Sequence, residues 1–395
     1  MAFSFGFSGD DIETGDDDGP VQSPPEKKPQ PTAAAAAAAA SSSSSSAFPV
    51  AGKPQLPPTH HPLPSLLSQL PSKIAFSCLD ISLDDGRSIR LPRRELWDVR
   101  VQLMAEEEDV GRGGDTEGLG EHDVKTGVYE GGFKSWESSV DLVKVLAAGE
   151  HFFGPGRPPL RLVELGCGTA LPSLAMFQWA SSKAGPESRP PGFSFVIADY
   201  NPTVLQLVTL PNFILTWALS QRASNPELHQ ALTGDDEQGH ELELTPEVLE
   251  SFQQFLAEAK ISLSFLSGAW SPEFVDLIYS SSPACSDTDD DNAPAAPTTV
   301  VLGAETIYSP FALKSFSETV FAVLERERTA PGARPAVAYV AAKRLYFGVG
   351  GSLDDFIVDA QAKGAVVNQL REETQGVRRG VVCCSLGGDQ SAAPI

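Results

Sequence analysis

A buried-type strand running straight into a glycine turn and then a helix constrains this chain more than any other feature. Arg161-Leu162-Val163-Glu164-Leu165 is followed at once by Gly166-Cys167-Gly168-Thr169-Ala170, and residues 171–179 have helical character. Glycines at such a turn let backbone approach a ligand closely, and the helix start offers unpaired N–H groups. Further apolar runs at 193–198, 261–266, 298–302, 336–341 and 380–386 read as strands. Segments 203–219, 246–259, 311–326 and 352–363 read as helices between them, with Pro211 expected to kink or break the first. Strands alternating with helices imply an α/β fold with a doubly wound, mostly parallel sheet.

Outside this core the chain changes character. Residues 1–8 carry Phe3, Phe5 and Phe7, which fall on one side of an extended strand and form a sticky start or a short docking segment. Residues 9–70 contain an Asp run, an Ala run, a Ser run and many prolines, with no amphipathic period, and are expected to be disordered. Residues 71–128 read as an N-terminal extension that packs on the core, with short strands near Ile74 and Ile81 and near-helical spacing over 93–103. The core domain is expected over 129–395, with polar inserts looped out near 223–245 and 281–297, the latter holding Asp287 to Asp291.

Charge narrows the partners. The formal net charge is −23, which argues against direct nucleic-acid binding, since phosphate contacts need a basic stripe. It favours a basic partner. The five cysteines are scattered without a C-x-x-C spacing, so neither a disulfide framework nor a zinc site is expected, and a reducing compartment fits. No run of 18 apolar residues signals a membrane span, and the acidic N-terminus does not read as a signal or transit peptide. Cytoplasm and nucleus remain. None of the histidines sits in a motif, so no histidine catalyst and no metal are expected.

The glycine turn is a poor dinucleotide site. Such a site uses G-x-G-x-x-G with an acid about 20 residues on, whereas Leu171 holds the third glycine position and the next strand-end acid, Asp199, comes well beyond. Glu164 would repel a pyrophosphate, yet would suit a cationic ligand. E-x-G-x-G ending the first strand, with an acid ending the second, resembles the class I S-adenosylmethionine-dependent methyltransferases. That resemblance implies a seven-stranded sheet, Gly166 and Gly168 under the methionine part of the cofactor, and Asp199 accepting from both ribose hydroxyls.

Further motifs narrow the likeness. Trp136-Glu137, Asp199-Tyr200-Asn201, Gly268-Ala269-Trp270, Glu305-Thr306-Ile307-Tyr308 and the Tyr346 to Gly351 loop occur in order. Together with the Phe/Gly start and Arg94-Glu95-Leu96-Trp97-Asp98-Val99, they resemble the histidine protein methyltransferase family, fungal type. The resemblance implies cofactor contacts at Trp136, Glu137, Glu164, Gly166, Gly168, Asp199, Asn201, Gly268, Trp270 and Glu305. It implies an acceptor channel at Glu305, Tyr308 and Tyr346. It also implies a histidine of a large-subunit ribosomal protein as substrate, and the acidic charge adds the expectation that this basic protein is met free, before assembly.

Plain structural roles compete with these. Trp136 and Trp270 can be core aromatics, Glu137 a helix-start charge, Glu305 a cap, and Lys343 and Arg344 solvated strand-end charges or groups that orient substrate. Protein-lysine methylation and a non-catalytic ribosomal-protein chaperone or binder stay open as alternatives to histidine methylation.

Overall fold

A computed structural model describes residues 49, 52, 54–110, 131–149, 152, 157–183, 192–235, 239–281, 296–330, 332, 334–346 and 350–387. All lie in one compact unit, Ser44–Ile395. The Phe3 to Phe7 segment, the alanine and serine runs, and Asp287 to Asp291 fall outside the described residues.

The described chain opens with β1 (Thr59–His61), α1 (Leu63–Leu67), β2 (Lys73–Ser82), β3 (Ser88–Arg94) and α2 (Leu96–Val110). Then come α3 (Glu137–Ala148), β4 (Leu160–Leu165), α4 (Leu171–Lys183), β5 (Phe193–Asp199), α5 (Pro202–Val204) and α6 (Leu210–Gln221). They are followed by α7 (Pro226–Ala231), β6 (Leu232–Asp235), β7 (Gly239–Glu243), α8 (Pro246–Glu258), β8 (Ile261–Ser267) and α9 (Pro272–Ser280). The last part holds β9 (Thr298–Ala304), α10 (Pro310–Thr329), β10 (Ala336–Lys343), α11 (Leu353–Ala362), β11 (Ala365–Glu373) and β12 (Arg379–Leu386).

The main sheet runs β1-β8-β5-β4-β9-β10-β12-β11. From β8 to β10 the strands are parallel, and β12, β11 and β1 are antiparallel to their neighbours. Every side chain of β4 is buried, as expected for a strand covered on both faces. The chain steps from β4 outward to β5 and β8, then returns to lay β9 on the other flank of β4. That reversal opens a crevice at the carboxyl ends of β4 and β9, where ligands bind in open α/β sheets. The register levels the strand ends: Leu165 pairs with Ala198, and Asp199 with Ser267.

Three expectations need correction. The sheet has an eighth strand, β1, taken from the tract expected to be disordered. It is a three-residue edge strand between prolines, a type with no readable period. Beyond its ladder it is tied by His61 Nε2 to Ser267 Oγ at 2.7 Å, and the Ala269 N–H donates to Leu56 O at 2.9 Å. The insert near 223–245 is not looped out either. Its hairpin, β6 and β7, completes a second antiparallel sheet in the order β3-β2-β7-β6, with Leu232 and Leu242 buried in it.

Pro211, thirdly, does not break its helix. The helical run continues from Pro202 to Gln221 through a π-turn at Leu205–Thr209. Widening the helix just before a proline relieves its clash with the preceding turn. Pro211 brings no N–H to this ladder, and Leu207 O accepts instead from Arg94 Nη1 at 2.9 Å. Arg94 is itself buried, with its Nε on Asp98 at 2.7 Å, so the extension is locked onto the core. The run is apolar because it is a core helix, 83% buried.

At the far end of the sheet, Glu327 of α10 gathers three donors on one oxygen: Arg161 Nη1 at 2.9 Å, Tyr279 OH at 2.9 Å and Thr299 Oγ1 at 2.8 Å. Both partners of the ion pair are buried. Glu327→Ala strands the Arg161 charge in the interior, at a cost of about 3–5 kcal/mol. Urea unfolding should show that loss, with Glu327→Gln falling between the variant and the native chain.

Candidate active site

The glycine turn after β4 is shaped by backbone that side chains cannot follow. Gly166 has φ +68°, and a Cβ there would lie 2.4 Å from Thr306 Cγ2. The turn therefore presses directly on the segment after β9. Its carbonyls are held from α6 and the preceding π-turn: Thr209 Oγ1 donates to Gly168 O at 2.7 Å, and Asn212 Nδ2 to Thr169 O at 3.1 Å.

Glu164 supports this turn from beneath. It is buried and accepts from the Ser173 hydroxyl and, at 3.0 Å, from the Ser173 N–H in the first turn of α4. That is a helix-capping role. Burial raises its carboxyl to about 8, with Asp199 adding to the rise. At neutral pH it is mostly protonated, so it does not supply the negative charge expected to suit a cationic ligand.

Asp199, at the end of β5, faces the crevice. Its Oδ2 accepts from the Gly168 N–H at 3.0 Å and its Oδ1 from the Asn201 N–H at 3.1 Å. Burial raises its carboxyl to about 6, while the amides of Asn201, Gly168 and Tyr200 pull it down.

Across the crevice, Glu305 follows β9 with φ +59°, a left-handed backbone that costs a non-glycine residue about 1–2 kcal/mol. Its carboxylate is gripped on both oxygens. Ser138 Oγ donates to Oε1 at 2.5 Å, and Tyr346 OH to Oε2 at 2.6 Å. Three chain segments thus meet at one side chain. Burial first, then the Glu305 charge, pushes the Tyr346 phenol far above its ordinary range. Burial raises Tyr308 to about 12, so both phenols stay protonated; the Tyr346 hydroxyl donates to Glu305 and accepts from the Lys343 N–H at 3.4 Å.

A cavity of about 740 Å³ joins these groups. Of the residues expected from sequence, Trp136, Gly166, Gly168, Asp199, Trp270, Glu305, Tyr308 and Tyr346 line it. Glu137, Glu164, Asn201 and Gly268 do not. Glu137 is exposed in the first turn of α3. Asn201 caps α5 by accepting from the Thr203 N–H at 2.9 Å. Gly268 makes room for the N-terminal strap, the residues that lead into β1, since a Cβ there would lie 2.2 Å from Pro57 O.

Sequence reasoning missed Gln55 and Pro49 of the strap, Thr306 as a wall and Ser138 as a clamp, whereas Lys343, read as a solvated charge or a substrate-orienting group, lines the acceptor end. Only Thr306 lay inside a recognised motif. Two buried polar atoms on lining side chains, Trp270 Nε1 and Thr306 Oγ1, have no partner among the described residues. No group of three or more His, Cys, Asp or Glu among the described residues could hold a metal.

No family model matches the chain. The curated histidine protein methyltransferase 1 of Saccharomyces cerevisiae is 33% identical over 308 residues, covering 74% of this chain and 76% of the yeast protein. The chain belongs to the histidine protein methyltransferase family. The Schizosaccharomyces pombe member is 31% identical over 322 residues, covering 80% of this chain and 82% of that one. A Bos taurus homologue is 28% identical over 229 residues, covering 58% of this chain and 48% of its own. Among solved structures, the rRNA methyltransferase aviRa of Streptomyces viridochromogenes aligns at 13% identity and a TM-score of 0.32, over 65% of this chain and 87% of that one. The sheet order, rather than this distant likeness, fixes the fold.

In this methyltransferase the clamp on Glu305 is open to test. Ser138→Ala and Tyr346→Phe each remove one hydrogen bond to a charged group, a loss of about 1.5–3 kcal/mol. Methyl transfer should fall roughly tenfold to a hundredfold in each. The double variant should lose less than the product, because both substitutions release the same carboxylate.

Proposed function

We propose that the chain transfers a methyl group from S-adenosylmethionine to a ring nitrogen of a histidine in a basic protein. One observation carries this reading: a single cavity runs from the Asp199–Gly166–Trp270 end to the Trp136–Glu305–Tyr346 end. The residues at the first end fit the cofactor. Asp199 is a buried acceptor for a vicinal diol, Gly166 leaves backbone bare, and Trp270 and Thr306 bring polar atoms that lack partners. When bound, the cofactor supplies an electrophilic methyl on a cationic sulfur. The chain's own groups then align the acceptor and exclude water.

A histidine acceptor suits the other end. Its pKa is near 6.5, so at neutral pH it already carries a lone pair and needs no strong base. Neither Tyr308 nor Tyr346 can act as one, since burial keeps both protonated. The acceptor's second ring N–H needs fixing, and Glu305 is held for that by its two hydroxyl donors.

The net charge of −23 makes a free basic protein the natural substrate. We place it among large-subunit ribosomal proteins met before assembly, in cytoplasm or nucleus, where this surface attracts the protein and repels assembled RNA. Purified chain, S-adenosylmethionine and an extract of free large-subunit ribosomal proteins should yield methyl-histidine by residue mapping. Gly166→Arg should yield none. Raising salt should weaken substrate capture, and salt-independent capture would sink the steering argument. Methyl-lysine alone would sink the histidine reading.

The cofactor end carries its own pH signature. The Asp199 carboxyl titrates at about 6, above its usual range, so it is charged above that pH and neutral below it. Cofactor affinity should hold above pH 7 and fall roughly tenfold per pH unit below about 6. Calorimetry on Asp199→Asn should give weak binding that no longer follows pH across that window.

A further inference from the structure

Lys343 ends β10, and its Nζ lies 5.2 Å from the centroid of the Trp136 ring and 5.6 Å from that of Tyr346. All three side chains line the cavity beside Glu305 and Tyr308. No carboxylate forms an ion pair with this ammonium among the described residues. Its near partners are the two aromatic rings.

Aromatic faces of this kind attract ammonium groups, and proteins use them to hold cationic side chains. Here the corner is already filled by the chain itself. We propose that Lys343 determines acceptor specificity: it occupies the aromatic corner that an incoming lysine would use and repels that lysine, while admitting a neutral imidazole. The inference rests on the histidine reading given above.

The charges around the cavity support it. A lysine acceptor arrives as a cation, with a pKa near 10.4, and meets Lys343 in a place partly shielded from water. Lys134 also lines the cavity. The two lining carboxylates are already hydrogen-bonded, which leaves Glu305 a lone pair for one ring N–H but weakens its pull on a full cation. Glu305 accepts a hydroxyl on each oxygen, and Asp199 binds the amides of Gly168 and Asn201 at the cofactor end. An imidazole, near 6.5, arrives largely uncharged, and a nearby ammonium keeps it so. The same charge discourages the cationic methylated product from staying.

The test uses the full chain saturated with S-adenosylhomocysteine, with imidazole and n-butylammonium as probes, followed by ligand-observed NMR. The native chain and Lys343→Arg should bind imidazole at least tenfold more tightly than n-butylammonium, a gap of about 1.4 kcal/mol. Lys343→Met should close that gap through tighter n-butylammonium binding. In the ribosomal-protein extract, Lys343→Met should add methyl-lysine to products that in the native chain are methyl-histidine alone. Unchanged discrimination in Lys343→Met would overturn the proposal. So would a tenfold loss of S-adenosylhomocysteine affinity in that variant, which would make Lys343 a cofactor ligand. Failure of the histidine reading looks different, because the native chain itself would then yield no methyl-histidine.

Discussion

Everything at the site depends on the contact between the glycine turn after β4 and the segment after β9. A missing Cβ at Gly166 lets Thr306 approach across the point where the strand order reverses. That approach sets the width of the crevice. It brings Asp199 and Trp270 to one end and Glu305 to the other, although the strands that carry them are far apart in sequence. The strained backbone at Glu305 belongs to the same constraint, since its N–H donates to Ala341 O at 3.0 Å while its carboxylate turns back to Ser138 and Tyr346. A residue held in a disfavoured backbone region by three separate elements marks a site rather than a loop accident.

Much of the fold could be read from the sequence, for one physical reason. The central strands are buried on both faces, so they appear as continuous apolar runs, and the helices between them keep their period. Where burial is one-sided or short, the signal disappears. The edge strand β11 passes from Ala365-Val366-Val367 through Asn368 and Gln369 to the charges Arg371, Glu372 and Glu373, has only Ala365 buried, and offers no sustained apolar run to find. The three-residue β1 hides among prolines, and the β6–β7 hairpin looks like polar insert because only a few of its side chains face inward.

The site was legible where function needs a residue type at a strand end. Asp199, Trp270 and Glu305 were found this way and Trp136 by its place at the start of α3, and all reach the cavity. Glu164 and Asn201 stand in the same motifs, but their side chains cap helices. A motif preserves a geometry, and a cap can matter to that geometry as much as a ligand contact. The clamp at Ser138 and the aromatic partners of Lys343 could not be read, because both come from contacts across the fold, to Glu305 and to two rings. No local pattern encodes such a contact.

The π-turn before Pro211 bears on the same site through helical phase. One extra residue in a turn rotates everything after it by about 100°. With that rotation in place, Asn212 comes under the carbonyl of Thr169 and accepts from the Arg94 N–H on its other side, at 2.8 Å. Without it, α6 would present a neighbouring residue there, and the glycine turn would lose a support although no residue of the turn had changed. The proline and the bulge therefore act as a phase setting for a helix that touches the cavity only at second hand, and a one-residue deletion between 205 and 209 would disturb the site from behind.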